Sequence, residues 1–322
     1  MSWMQSAASI LALALALLAG GVWLVDWRAD RREAEALAQW PPEGIFVQVE
    51  DRRVHAVTRG QGPDLVLIHG ASGNARDMTF RFMGLLTDRY RVTAFDRPGL
   101  GYTDPAPADW GESPKEQAAF LQAAARELHI ESPIVLGHSF GGAVALAWGL
   151  SDPEGTAAVV DVSGVAMPWP GRLGWLYRIN GPWLGTALVP PLVAAFAPQP
   201  LLDRALAATF APDPVPEGYA EHFGASLSIR RASFRTNARQ VNALRASVME
   251  MSRDYSTFSV PLEIVHGEAD TIVPLEVHSC PLSRIIPGAN LTVLPGVGHM
   301  PHQTHPEAVV AAVDRARARA GL

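Results

Sequence analysis

Short, wholly apolar runs recur along most of the chain: LVLIH at 65–69, VTAF at 92–95, PIVLG at 133–137 and AAVVDVS at 157–163. Strands that are uninterrupted by polar residues suit a parallel sheet covered on both faces. Helix-sized segments lie between them. Ser113-Pro114-Lys115-Glu116 is a capping-box sequence with proline at the first helical position, followed by the helical run EQAAFLQAAARELHI. Strands alternating with helices restrict the chain to an α/β fold with right-handed crossovers.

The pattern is different at both ends of this series. From Ile45, IFVQVE and RVHAVT alternate with period two around a turn expected at Asp51-Arg52, which reads as an antiparallel hairpin. From about Met167 to Tyr255 the α/β alternation stops. Segments such as PWPGRLGWLYRINGPWLG and VPPLVAAFAPQPLL, rich in proline, tryptophan and leucine, replace it, followed by more polar helical stretches, and the whole is too long for a loop. We read this stretch as a mostly helical cap inserted into the α/β domain. VPLEIVHG at 260–267 and NLTVLPG at 290–296 resume the sheet, and an amphipathic helix from His305 closes it.

Residues 1–25 contain no charged side chain. A helix of some 20 such residues spans the roughly 30 Å hydrocarbon core of a bilayer. A secretory signal would carry a basic start and a defined cleavage site, and neither is present. Residues 1–27 are therefore expected to form a transmembrane anchor, with Trp3, Trp23 and Trp27 at its interfaces. Residues 28–43 are expected as a linker, its charged, alanine-rich part at 28–40 forming a short helix at the membrane surface that Pro41-Pro42 ends, and 44–322 as the main domain. Arg28, Arg31 and Arg32 follow the apolar stretch, so the positive-inside tendency favours a cytoplasmic main domain.

Among 322 residues, 26 basic against 32 acidic side chains give a net charge of -6, with no basic stripe for binding nucleic acid. The one cysteine, Cys280, excludes an intrachain disulfide and reads as a packing residue.

Gly137-His138-Ser139-Phe140-Gly141 follows an apolar strand and precedes a helix, the context that the G-x-S-x-G pattern requires. Ser139 is then a candidate nucleophile, and an ordinary helix N-cap is the alternative. A serine hydroxyl needs a base, and the base needs an orienting acid. Asp270 leaves the strand VPLEIVHG, and His299 sits in the glycine-rich turn after NLTVLPG. Asp161 is a rival acid, and His302 and His305 are rival bases. His69 and His138 are expected to shape loops. Two backbone N–H groups must meet a developing oxyanion; those of Phe140 and Ala71 are expected, with Ser72 second to Ala71. The histidines lack metal-ligand spacing and no phosphate-binding glycine loop opens the sheet, so neither a metal nor an organic cofactor is expected.

Taken in order, LVLIHGASGNARDM, VTAFDRPGLGYTDP, IVLGHSFGGAVALAW, EIVHGEADTIVP and LPGVGHMPHQTHPEAV resemble the α/β-hydrolase superfamily of serine hydrolases, over residues 44–322. The resemblance implies an eight-stranded, mostly parallel sheet with one antiparallel strand near its start and a cap after the sixth strand. It implies a Ser139–Asp270–His299 triad, and the serine disfavours branches that use aspartate as nucleophile. An anchor ahead of such a domain is similar to membrane-bound monoacylglycerol lipases. A lipophilic ester is the expected substrate, with Trp169, Trp175, Trp183, Leu184, Leu188, Leu192 and Phe196 of the cap either meeting its acyl chain or packing the cap. Hydrolysis of carbon–carbon bonds, a haloperoxidase-like activity, or a noncatalytic binding role at the membrane are the alternatives.

Overall fold

The computed structural model describes residues 2–106, 111–171 and 173–322, with side chains from residue 5 onward, so the side chain of Trp3 lies outside the described residues. Eight strands form one sheet: β1 (Ile45–Val49), β2 (Arg52–Arg59), β3 (Asp64–Ile68), β4 (Arg91–Phe95), β5 (Ile134–His138), β6 (Ala158–Val162), β7 (Leu262–Gly267) and β8 (Asn290–Leu294). Their order is β1-β2-β4-β3-β5-β6-β7-β8. Only β2 runs against its neighbours, pairing antiparallel with β1 and β4. The remaining ladders are parallel. The hairpin register pairs Val49 with Arg52, so the turn falls on Glu50-Asp51, one residue before the expected Asp51-Arg52. Glu50 takes a φ of 53° there, which lets two residues reverse the chain.

The helices are α1 (Ser2–Gln39), α2 (Ala75–Thr79), α3 (Pro114–Glu127), α4 (Phe140–Ser151), α5 (Trp175–Asn180), α6 (Trp183–Phe196), α7 (Gln199–Phe210), α8 (Tyr219–Phe223), α9 (Ala225–Ser228), α10 (Arg231–Met251), α11 (Ser279–Ile285), α12 (Pro301–Thr304) and α13 (Pro306–Arg319). The capping box at the start of α3 is formed in both directions, Ser113 accepting from the Glu116 N–H and Glu116 from the Ser113 N–H. Apolar side chains cover both faces of the sheet. On one, Val66, Val135, Val159 and Ile264 meet α3 and α4. On the other, Leu65, Leu136, Val160 and Val265 meet α13. This is the α/β-hydrolase architecture, and it explains why the strands read as continuous apolar runs. Helices α5 to α10 lie between β6 and β7.

The helix expected at 28–40 is present as the second half of α1. The helix continues without a break to Gln39 and packs along the cap. Ala29 is fully buried against Ala194 and Ala195 of α6. Arg28 donates to the Ala195 carbonyl (2.7 Å) and Arg32 to the Ala197 carbonyl (2.7 Å). Arg231, at the start of α10, reaches Glu33 (2.9 Å), Asp26 (3.3 Å) and Asp30 of α1. Alanines allow two helices to approach closely, and the interleaved charges that looked like a solvated linker in sequence are the polar side of that contact. Arg28 and Arg32 thus have partners within the fold itself.

Replacing Arg231 by alanine should loosen this contact while sparing the sheet. Hydrogen exchange in the full-length protein should quicken at 26–36, by the equivalent of about 1 kcal/mol for a partly exposed ion-pair network, with the amides of β3 and β5 unchanged.

Candidate active site

The turn between β5 and α4 raises Ser139 above the sheet with φ 56° and ψ −117°, a conformation that a non-glycine residue adopts only under constraint. Its neighbours must be glycines. A Cβ on Gly137 would stand 2.0 Å from the Gly141 carbonyl oxygen, and one on Gly141 would stand 2.2 Å from that of Ile68. Ser139 makes no side-chain cap bond to its helix, so the N-cap role considered from sequence is not what holds its hydroxyl.

His299 and Ser139 line the same cavity, of about 750 Å³, between the sheet and the cap. Behind the imidazole, His299 Nδ1 lies 2.7 Å from Asp270 Oδ2. The other carboxylate oxygen accepts from the N–H groups of Ile272 (2.8 Å) and Val273 (2.9 Å). Burial pushes the Asp270 carboxyl up. The bonds from His266 and His299 and from the Val273 N–H more than offset this and hold it well below the ordinary carboxylate range. With Nδ1–H donated to this anion, His299 keeps the Nε2 lone pair free for a proton. His266 was not singled out from sequence. It sits 3.3 Å from Asp270 Oδ2 and is itself fixed by Ser279 Oγ (2.6 Å) and the Val273 carbonyl (2.7 Å).

The rivals lie elsewhere. Asp161 is fully buried beneath the elbow, and neither of its oxygens has a hydrogen-bond partner among the described residues. It fills the space left by Gly142 and Gly164, where a Cβ would stand 2.2 and 1.7 Å from its Oδ1. Burial raises its carboxyl to about 7. The His305 ring bonds to its neighbour Thr304 (3.0 Å), and His302 Nε2 donates to Asp77 (3.1 Å). Asp77, on α2, also accepts from Tyr219 of the cap (2.7 Å) and Gln303 (3.2 Å). Burial would raise this carboxyl too, and His302, His138 and Tyr219 together hold it well below the ordinary range. The ligand atoms of Asp77, His138 and His302 fall within 4.8 Å of one another, a grouping that sequence spacing did not reveal. His138 Nε2 donates to the His299 carbonyl (2.8 Å), and the Nδ1 atoms of His138 and His302 have no hydrogen-bond partner among the described residues. The group ties α2, the His299 loop and the cap together.

The loop after β3 carries Ala71. Ser72, the second choice as a donor from this loop, already gives its N–H to Asn237 Oδ1 of α10 (2.7 Å). The N–H groups of Ala71 and Phe140 enter none of the hydrogen bonds described. His69 shapes this loop as expected. It accepts from the Arg97 N–H (3.0 Å), and burial, aided by the Arg97 charge, lowers it to about 4, so it stays neutral. Arg97, not foreseen, is buried with its guanidinium 4.1 Å from the centre of the Phe140 ring and bonded to the Gly70 carbonyl (3.1 Å). Cys280 is free and half-buried, and burial raises its thiol above the ordinary value, which leaves it a poor nucleophile.

An eight-stranded sheet of this order, a serine on a strained turn after β5 and a histidine after β8 are the marks of one family. A profile of the alpha/beta hydrolase family matches residues 65–312. The chain belongs to the alpha/beta hydrolase family. It is 26% identical over 279 residues to the 2-hydroxymuconate semialdehyde hydrolase of Pseudomonas putida, covering 84% of this chain and 92% of that one. It is 25% identical over 272 residues to the pimeloyl-[acyl-carrier protein] methyl ester esterase of Vibrio campbellii, covering 79% and 94%. Among solved structures, an alpha/beta hydrolase fold protein from Burkholderia ambifaria superposes with TM-score 0.71 at 28% identity, covering 84% and 96%. A membrane phospholipase A superposes with TM-score 0.67 at 22% identity, covering 97% and 99%.

The unpaired Asp161 carboxyl has a consequence for this hydrolase fold. An acid whose pKa rises on folding retains its proton in the folded state while the unfolded chain releases it, so stability falls as pH rises between about 4 and 7. Asp161→Asn removes that slope. Relative to wild type, the variant should gain about 1.4 kcal/mol for each pH unit across the window, read from urea midpoints at pH 5 and 7. Parallel curves would contradict a buried, neutral Asp161.

Proposed function

We propose that this hydrolase cleaves carboxylic esters with apolar acyl chains through a Ser139–His299–Asp270 triad, held at a membrane by residues 1–27, with the soluble domain running from 44 to 322 and its cap at about 167–255. His299 Nε2 takes the proton of Ser139 Oγ as that oxygen attacks the ester carbonyl. The Asp270 carboxylate keeps the imidazole in the tautomer that accepts this proton and stabilises the imidazolium formed. Ala71 and Phe140 donate their N–H groups to the oxyanion of the tetrahedral intermediate. His299 then protonates the departing alcohol. Water attacks the acyl-serine by the same route, releasing the acid and restoring Ser139.

The 2.7 Å bond between His299 Nδ1 and Asp270, on the wall of a cavity that also exposes Ser139, carries this reading. The cavity's lining supports the apolar acyl chain. Trp175, Leu192 and Phe196 are in it. Trp169 packs against the core and beside the His278 ring, which assigns it the packing role. The esterase relative and the membrane phospholipase neighbour agree with ester chemistry at a membrane. The relative from Pseudomonas putida makes carbon–carbon hydrolysis the second reading, since the same three side chains serve it.

A fluorophosphonate should label Ser139 and no other residue. Ser139→Ala should abolish labelling and lower kcat on p-nitrophenyl esters by about 10³-fold or more, as should Asp270→Ala by a smaller factor. Labelling at another serine, or full activity in Ser139→Ala, would overturn the assignment. Across p-nitrophenyl esters from acetate to decanoate, kcat/KM should rise by up to about threefold to fourfold per buried methylene until the cavity is filled. A flat profile would favour the carbon–carbon reading, which a dienoic ring-fission substrate would then test.

A further inference from the structure

Helix α6 has its polarity inverted. Its fourteen residues, WLGTALVPPLVAAF, include no charged side chain. Its inward face is small and buried: Ala194 and Ala195 against Ala29, and Pro190. Its outward face is the row Leu184, Leu188, Leu192 and Phe196, spaced at i, i+4, and between 47 and 57% exposed, with Trp183 beside it at 78%. A contiguous apolar patch of this size on the outside of a water-soluble domain marks a surface with a partner.

Three observations identify the partner as lipid. First, α6 lies along α1, whose most apolar stretch is uncovered by the rest of the chain and long enough to cross a bilayer. Second, the two helices share a boundary. Trp23 and Trp27 of α1, stacked 6.3 Å apart, precede Arg28, whose guanidinium sits 5.3 Å from the ring centre of Phe196. Aromatic rings followed by an arginine are what the headgroup level of a bilayer selects. Third, α6 and α7 together are apolar enough for a membrane but bend by 107° where they meet, a shape that dips into one leaflet and leaves it again. Leu192 and Phe196 also line the cavity that holds Ser139 and His299.

We propose that the outward face of α6 is buried in the acyl region of one leaflet beside α1, and that the cavity is filled from the bilayer through the edge formed by Leu192 and Phe196. This extends the reading of α1 as an anchor and of the cavity as an acyl site. A helix held against the anchor by Arg28 and Arg32 reaches the interface at no further entropic cost of association. An apolar substrate would then pass from lipid to the serine without crossing water.

The test uses the full-length chain in dioleoylphosphatidylcholine vesicles. With Cys280 replaced by serine, a spin label is placed at Leu188→Cys or, on the edge strand β8, at Val293→Cys, and its collisions with oxygen and with a water-soluble nickel chelate are compared. Oxygen should dominate at 188 and nickel at 293. Nickel access at 188 equal to that at 293 overturns the proposal, and shielding from both reagents at 188 overturns it in favour of a second copy of the chain covering the face. In the second arm, Trp183→Asp with Leu188→Asp, two residues outside the cavity lining, should slow hydrolysis of a long-chain monoacylglycerol in vesicles by about tenfold or more. The rate on p-nitrophenyl acetate should be unchanged. Equal loss on both substrates overturns the proposal. If wild type cleaves neither ester, the ester reading fails, and the collision data still decide the membrane face.

Discussion

The backbone of Ser139 is the constraint on which the site depends. A φ of 56° with ψ −117° is costly for an L-residue, of the order of 1–3 kcal/mol, and persists only where its surroundings over-determine it. Here they do so from every side. Ser139 N–H is held by the Val162 carbonyl, and Ser139 O accepts from Gly142 and Val165, so β6 and the loop beyond it grip the elbow. Gly137 and Gly141 remove the side chains that would keep β5, α4 and the end of β3 apart. The same closeness brings the Ala71 loop beside the Phe140 N–H. Strain at one residue therefore fixes both the Ser139 side chain and the backbone around it.

The second requirement is that loops from distant parts of the chain be held to that elbow. Buried polar side chains achieve this by hydrogen-bonding across elements. Arg97 takes hydrogen-bond acceptors from Gly70, Gln117 and Gln240 and lies over the Phe140 ring. Asp77 collects donors from His302, Gln303 and Tyr219, and His138 bonds the main chain of His299. Buried polar groups are expensive unless paired, so each network is stable in one arrangement and resists small displacements. Asp161 is buried with neither carboxyl oxygen paired among the described residues, and its neutral state is the cheaper resolution of the same problem.

The sheet was legible in sequence because its physics is local: a strand covered on both faces is largely apolar, and four such runs coincide with β3 to β6, with β7 and the edge strand β8 following more mixed segments. The elbow was legible because glycine spacing beside a strand and a helix is a local pattern. Ser139, Asp270 and His299 each follow a strand; Asp161 was set aside because it lies inside an apolar run, and His302 and His305 because His299 directly follows the last strand and its glycine turn. What escaped were contacts between residues far apart in sequence. His266, Arg97 and Asp77 sit in stretches that look like ordinary strand, loop and helix, and only the fold brings them together. The packing of the 28–39 helix on the cap escaped for the same reason. Charge interleaved with alanine looks solvated until Arg231, about 200 residues away, supplies the other half of the pattern. In the cap, Trp183, Leu184 and Leu188 were grouped with the pocket on composition, whereas the helical phase of α6 turns them outward.

That phase connects the two ends of the molecule. Arg231 starts α10 and binds three acidic side chains of α1, and six residues later the same helix presents Asn237 to Ser72 in both directions, accepting the Ser72 N–H and donating to its hydroxyl (2.9 Å). One rigid helix thus joins α1 to the loop that carries the Ala71 N–H. Because Ser72 has φ 54°, the loop's path depends on that external hold and not on its own preference. A displacement of α1 against the body would be transmitted along α10 to the loop beside Ser139, with no other element required. In this fold one helix thus bears both the contact with α1 and the hold on the Ala71 loop, so the two are joined by the same set of hydrogen bonds.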